Sequence, residues 1–255
     1  MTVTGFIGTV CMFPMRAIIA ASVALRIHPN TLTLIGVLIN VAAAVTLALD
    51  RFVLAGVIMI VANIFDFIDG KVAHITNTVS RFGAFWDSTL DRFSDIALFL
   101  GLIHLYAGLH RTDYVMVAAL AMMFSIMTSY ARARAESLIE KCKVGFMERP
   151  ERIVLFMIGA FTDRMAAVLW VILVLSIITV ANRIHYTYLV LNSKPVPTSS
   201  NPIVAAFSRA FFWRDERATL PYDLWVIAIL AFVWLTPPDW LRDPTASGLG
   251  LWGWF

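Results

Sequence analysis

The stretch DFIDGKVAHITNTVSRFGAFWDSTLD carries Asp66, Asp69, Asp87 and Asp91 between two strongly apolar segments. Asp66 and Asp69 are three residues apart, and Asp87 and Asp91 are four apart. On a helix turning about 100° per residue, each pair shares one face. The intervening ITNTVS is polar enough to turn, so the chain leaves one helix and re-enters in the next, with both pairs at a similar depth. Four carboxylates cannot all stay ionised in a small, half-buried space unless cations sit among them; otherwise some are protonated. An all-oxygen donor set favours a hard cation, Mg²⁺, Mn²⁺ or Ca²⁺, over zinc. A lone aspartate at a helix end caps it or faces water. Four at helical spacings within apolar helices point instead to function, because ionisable groups inside a membrane are costly to place.

The elements that must position them are membrane helices. The 255 residues are 60% hydrophobic and 15% charged, against about 45–50% and about 25% in soluble domains. Apolar runs of helix-spanning length recur at about 31–49, 52–68, 83–108, 113–133, 152–162 and 165–182. Helices are the expected form, since barrel strands would alternate and need closure. The expected fold class is an all-α integral membrane protein in three parts. Residues 1–27 form an N-terminal interfacial helix, with Arg16 and Arg26 reaching headgroups. Residues 28–189 form a six-helix transmembrane catalytic domain. Residues 190–255 form a C-terminal extension: a Pro/Ser-rich loop NSKPVPTSSNP, an apolar stretch 222–237 open to three readings (a seventh membrane span, a re-entrant piece or an interfacial helix), and an aromatic interfacial tail GLGLWGWF. No basic region precedes an apolar one at the N-terminus, so no cleaved signal peptide is expected. Cys11 and Cys142 make neither a disulfide framework nor a metal spacing.

Basic residues divide unevenly between the two faces of this arrangement. Arg51, Arg111 and Arg164 lie on one. Arg16, Arg26, Lys71, Arg81, Arg132, Arg134, Lys141, Lys143, Arg149, Arg152 and Arg183 lie on the other. The asymmetry predicts a multi-pass protein of the cytoplasmic membrane whose aspartates face the cytoplasm. A net charge of +3 therefore reflects membrane orientation, and no nucleic-acid partner is expected.

The spacing Asp66-x2-Asp69-Gly70-x2-Ala73-His74-x8-Gly83-x3-Asp87-x3-Asp91 closely resembles the signature of the CDP-alcohol phosphotransferases, D-x2-D-G-x2-A-R-x8-G-x3-D-x3-D. The resemblance implies a six-helix membrane fold, usually dimeric, that transfers a substituted phosphate from a CDP-linked donor to an alcohol and releases CMP. It implies one or two Mg²⁺ or Mn²⁺ ions on the diphosphate, held by Asp66, Asp69 and Asp87. Asp91 would be the base for the acceptor hydroxyl, with a share in a metal open to it. Gly70, Ala73 and Gly83 would leave room for the nucleotide. One position departs: His74 stands where the family has Arg, so its charge depends on pH, and Arg81 could substitute in holding CDP. HPNTLT, residues 28–33, resembles the family's P-N-x-x-T at the start of the first helix, with Asn30 near the nucleotide; the same string also reads as an ordinary helix start.

The acceptor must be read from other residues. Arg132 and Arg134 end the fourth helix, Arg149 and Arg152 open the fifth, and Arg183 closes the sixth. Arginine forks suit phosphate oxygens, whereas a cationic alcohol would prefer aromatic or acidic walls. A phosphorylated alcohol is therefore expected. The strings Arg132-Ala-Arg134-Ala-Glu136 and Gly145-Phe-Met-Glu148-Arg149-Pro-Glu151-Arg152 resemble prokaryotic phosphatidylinositol-phosphate synthases and archaeal archaetidylinositol-phosphate relatives. That implies a CDP-linked lipid donor such as CDP-diacylglycerol, myo-inositol 1-phosphate as acceptor, and an acceptor-phosphate site of Arg132, Arg134, Arg152 and Arg183. Glycerol 3-phosphate is the alternative acceptor. A divalent-cation transporter is the alternative from another class, but it should place acids near the bilayer midplane on broken helices.

Overall fold

The structure is a computed structural model, and it describes residues 15–194 and 220–246. Every regular element among them is a helix: α1 Met15–Ala24, α2 Pro29–Ala48, α3 Phe52–Ile75, α4 Arg81–Gly108, α5 Thr112–Glu136, α6 Arg149–Thr162, α7 Met165–Leu191, α8 Leu220–Leu235 and α9 Pro238–Leu241. Four of them, α2, α3, α5 and α7, are long and apolar enough to cross a membrane. Residues 1–14, most of the Pro/Ser-rich loop and the aromatic tail lie outside the described residues.

Local chemistry sets the helix ends. Pro29 opens α2, where its missing N–H costs nothing, and His28 Nδ1 accepts the N–H of Asn30 at 3.2 Å. Ser80 Oγ accepts the N–H of Gly83 at 3.0 Å and so caps α4. Pro150 stands in the first turn of α6. Asp50, Asn77, His110 and Asp163, each in a turn between helices, take the left-handed conformation that short polar side chains tolerate. Three helices outrun the apolar stretches at their C-terminal ends: α3 continues through Gly70 to Ile75 beyond 68, α5 to Glu136 beyond 133, and α7 past Arg183 to Leu191 beyond 182. In each case the apolar run stops before the backbone ladder does.

The chain divides into two compact units, residues 1–101 and 102–255. In the first, Ile19 of α1 packs into a cluster with Leu32, Ile68 and Val72. Helices α2 and α3 approach closely at Gly36, where an added Cβ would lie 3.3 Å from the Ala62 carbonyl oxygen. Gly101 of α4 rests on the Ala44 carbonyl of α2, and any side chain there would run into it. Small residues at such crossings are how helices pack without a hydrophobic driving force between them. Asn40 Nδ2 adds a hydrogen bond to Ser94 Oγ at 2.6 Å. On α2, Leu34, Leu38, Val41 and Val45 are exposed at helical spacing, a stripe suited to lipid.

In the second unit α7 is the centre, touched by α5, α6, α8 and α9. Its first half, including Met165, Val168, Leu169 and Ile172, is buried. The extension is tied down at both ends. Tyr222 donates to Glu151 Oε1 at 3.2 Å near the start of α6. Past its other end, Arg164 Nη1 donates to the Thr236 carbonyl at 3.3 Å, and Tyr114 donates to the Leu241 carbonyl. Helix α8 therefore runs alongside α6 in the same direction. Between the two lies a cavity of about 300 Å³ with walls that include Val154, Leu155, Val226 and Ile229.

Candidate active site

The acidic site belongs to the first unit. Asp66, on α3, and Asp87 and Asp91, on α4, each bring one carboxylate oxygen within 4.8 Å of the others. All three are half-buried. The turn at 76–80 reverses the chain, which converts two helical spacings into one cluster. Asp69 takes a different environment. It is 7% exposed, and its carboxylate accepts the Thr33 hydroxyl at 2.5 Å. Asp91 also has the Arg92 guanidinium 4.0 Å away, and Arg92 itself donates to the Ser88 carbonyl.

The surrounding residues shape the rim. Trp86 Nε1 donates to the Asn30 carbonyl at 3.2 Å, tying the start of α2 to α4. A Cβ on Gly83 would lie 3.2 Å from Ser80 Oγ and 3.5 Å from Asn30 Oδ1, so the glycine permits that approach. A Cβ on Gly70 would meet nothing within 4 Å, which leaves open space over this turn of α3. Ala73 is half-buried, and His74 and Arg81 are exposed. Three carboxylate oxygens from two helices fit a hard divalent ion and would repel one another without one.

The guanidinium site belongs to the second unit and is organised by Glu148. Its Oε1 accepts from Arg132 Nη1 at 3.0 Å and from Arg183 Nη2 at 3.3 Å. Arg132 also donates to Glu136 at 3.1 Å. Arg183, 2% exposed, further donates through Nε to the Val144 carbonyl at 3.0 Å and through Nη1 to the Thr128 carbonyl. Arg152, also 2% exposed, donates to Thr128 Oγ1 at 3.1 Å. Arg132, Arg152 and Arg183 thus converge on one patch. Arg134 stands outside that network, exposed and donating to Ser137 Oγ at 3.2 Å.

Three participants carry no role in the sequence reading. Thr33 had a signal, as the last residue of the P-N-x-x-T string. Glu148 sits within the string that supplied Arg152. Thr128 is a hydroxyl in an apolar helix and offers no pattern to find.

Comparison with known proteins places the chain in a family. Residues 26–191 match the CDP-alcohol phosphatidyltransferase family. The archaetidylinositol phosphate synthase of Pyrococcus horikoshii is 36% identical over 173 residues, covering 68% of this chain and 89% of that protein. The phosphatidylinositol phosphate synthase of Mycobacteroides abscessus is 35% identical, covering 62% and 76%. Crystal structures of the Mycobacterium tuberculosis phosphatidylinositol phosphate synthase superpose with a TM-score of 0.63 at 28% identity. The one with CDP-DAG bound covers 68% of this chain and 93% of its own, and the one with manganese and citrate covers 68% and 88%. On that match, and on the carboxylates it contains, this chain is a membrane enzyme of the CDP-alcohol phosphatidyltransferase family.

Proposed function

We propose that the protein transfers a phosphatidyl group from a CDP-linked lipid, CDP-diacylglycerol being the first choice, to a phosphorylated alcohol, with myo-inositol 1-phosphate the leading acceptor and CMP the released product. The observation that carries this reading is the convergence of Asp66, Asp87 and Asp91 from two helices to within 4.8 Å. Two relatives whose names specify inositol phosphate products support the acceptor.

Asp66, Asp87 and Asp91 would hold Mg²⁺ or Mn²⁺, with Asp69 braced by Thr33 to complete the set. A bound divalent ion supplies charge neutralisation on the diphosphate oxygens. The chain's own groups do the rest. The Asp91 carboxylate takes the proton from the acceptor hydroxyl. The acceptor oxygen then forms its bond to the lipid-bearing phosphorus as that phosphorus loses its bond to the CMP oxygen, and CMP departs with the bonding pair. Such transfer depends on alignment and charge stabilisation more than on covalent help from the protein. Asn30, Gly70, Ala73 and Gly83 line the nucleotide side, with His74 or Arg81 in place of the family's arginine. Arg132 and Arg152 bind the acceptor phosphate. Arg183 has its guanidinium committed to Glu148, Val144 and Thr128, which suits it to fixing the others. Arg134 would need to swing inward to take part.

Helices α2 to α7 form the six-helix membrane body, with its active site toward the cytoplasm of the cell membrane, and the enzyme works as a homodimer. Glycerol 3-phosphate remains the second acceptor, because the same guanidinium groups suit its phosphate. A transporter reading draws nothing from the family match. Purified protein given CDP-diacylglycerol and Mn²⁺ should release CMP with inositol phosphate, and less with glycerol 3-phosphate. Absence of CMP release with every phosphorylated alcohol tried would overturn the reading.

A further inference from the structure

We propose that Tyr222, in the C-terminal extension, is a positioning residue of the acceptor site. It would hold the segment 146–152 so that Arg132 and Arg152 present their guanidinium groups to the acceptor phosphate. The inference rests on the reading of those arginines as the acceptor-phosphate site.

The segment between α5 and α6 carries the groups that organise this patch, and it is gripped from one side by α5 and α7. Arg183 holds the Val144 carbonyl. Gly145, at φ +93°, lies against Thr179, where an added Cβ would come within 2.5 Å of the threonine methyl. The Met147 N–H donates to Thr179 Oγ1 at 3.1 Å. Glu148 links Arg132 and Arg183, and Arg152 reaches Thr128 of α5.

The opposite side faces α8, which begins beyond residue 191, where the family match ends. The Tyr222 ring lies 5.7 Å from the Phe146 ring at 44°, and its hydroxyl donates to Glu151 Oε1 at 3.2 Å. Glu151 is 8% exposed, in the first turn of α6 and next to Arg152. Successive helical residues point about 100° apart, so Glu151 can face α8 while Arg152 faces α5. The first turn of α6 is thus held from two directions. A cavity lined by Val154 and Val226 lies between α6 and α8 beyond this contact. Hydrogen bonds to a carboxylate are among the stronger ones, so this contact adds a restraint on the start of α6 from the side opposite α5 and α7.

The test is Tyr222→Phe, which keeps the ring against Phe146 and removes only the hydroxyl. KM for the phosphorylated acceptor is expected to rise roughly three- to tenfold, with kcat and KM for CDP-diacylglycerol within about twofold. The Mn²⁺-dependent thermal shift should be unchanged. A general structural role would instead move donor and acceptor constants together, and that result overturns the proposal, as does an acceptor KM within twofold of wild type. Arg152→Lys, measured in parallel, separates the two levels. If it raises the acceptor KM and Tyr222→Phe does not, only the positioning role fails. If neither does, the acceptor-site reading fails and this inference with it.

Discussion

Replacing Asp66 by Asn should make the metal-free protein more stable and the metal-loaded protein less so. Asp66, Asp87 and Asp91 have oxygens within 4.8 Å of one another. Two unit charges at that distance repel by about 1 kcal/mol in water and about 3.5 kcal/mol at an effective dielectric constant near 20. Asp66→Asn removes two of the three repulsive pairs. Without metal, partial protonation relieves much of this repulsion, so the lower figure is taken for each pair and the gain is about 2 kcal/mol. For a chain of this size that is about 4–8 °C in Tm. Saturating metal reverses the order. An ion at a hundred times its Kd stabilises by about 2.7 kcal/mol, and the variant has lost one of its carboxylates. The assay is thermal unfolding in detergent with EDTA and then with Mn²⁺. The variant should melt higher in EDTA and gain little from Mn²⁺, whereas wild type should overtake it. A lower EDTA midpoint for Asp66→Asn together with an undiminished Mn²⁺ increment would refute both the repulsion and the shared ion.

Other substitutions probe the remaining parts. Arg152→Ala should raise KM for the phosphorylated acceptor at least tenfold while KM for the lipid donor stays near wild type, as read by CMP release at varied substrate; equal effects on both would undo the assignment of Arg152 to the acceptor. Thr33→Val keeps the shape of the side chain but removes the hydroxyl that Asp69 accepts, both groups being buried; it should cost about 1–3 kcal/mol of stability, read by thermal unfolding. The Cys142 thiol is fully buried, and that burial pushes its pKa above the ordinary value. At neutral pH the reactive thiolate is therefore scarcer than in an open thiol and appears only as pH rises. Iodoacetamide should leave Cys142 unmodified in the folded protein and alkylate it after denaturation, as mass spectrometry can show.

Much of the site was legible because its residues announce themselves by charge. Carboxylates in apolar helices are rare enough that spacing alone grouped Asp66, Asp69, Asp87 and Asp91. The same rarity misled at helix ends. Arg183 reads as the place where a membrane helix gives out, yet α7 runs on to Leu191, because Arg183 is buried against Glu148, Val144 and Thr128 instead of reaching water. The reversal after α3 was legible: ITNTVS reads as the turn, and the helix ends at Ile75 with Thr76 as its C-cap. Asp69 looked equivalent to the other three, and only three-dimensional contact reveals that Thr33 has claimed its carboxylate. Thr128 was invisible, since a hydroxyl among apolar residues is a common feature of membrane helices. The distinction between Arg132 and Arg134 also escaped sequence. Two positions apart on a helix, they point about 200° from each other, and only one can face Glu148.

The most direct measurement is CMP release from CDP-diacylglycerol in the presence of Mn²⁺ and inositol phosphate, by wild type and by Asp91→Asn side by side. Wild type should turn over. Asp91→Asn should lose about 10²–10⁴-fold in rate, while Mn²⁺, still held by Asp66, Asp69 and Asp87, raises its unfolding temperature by less than in wild type. An Asp91→Asn enzyme that releases CMP at the wild-type rate would contradict the assignment of that carboxylate as the base, and with it the chemistry proposed for the acidic cluster.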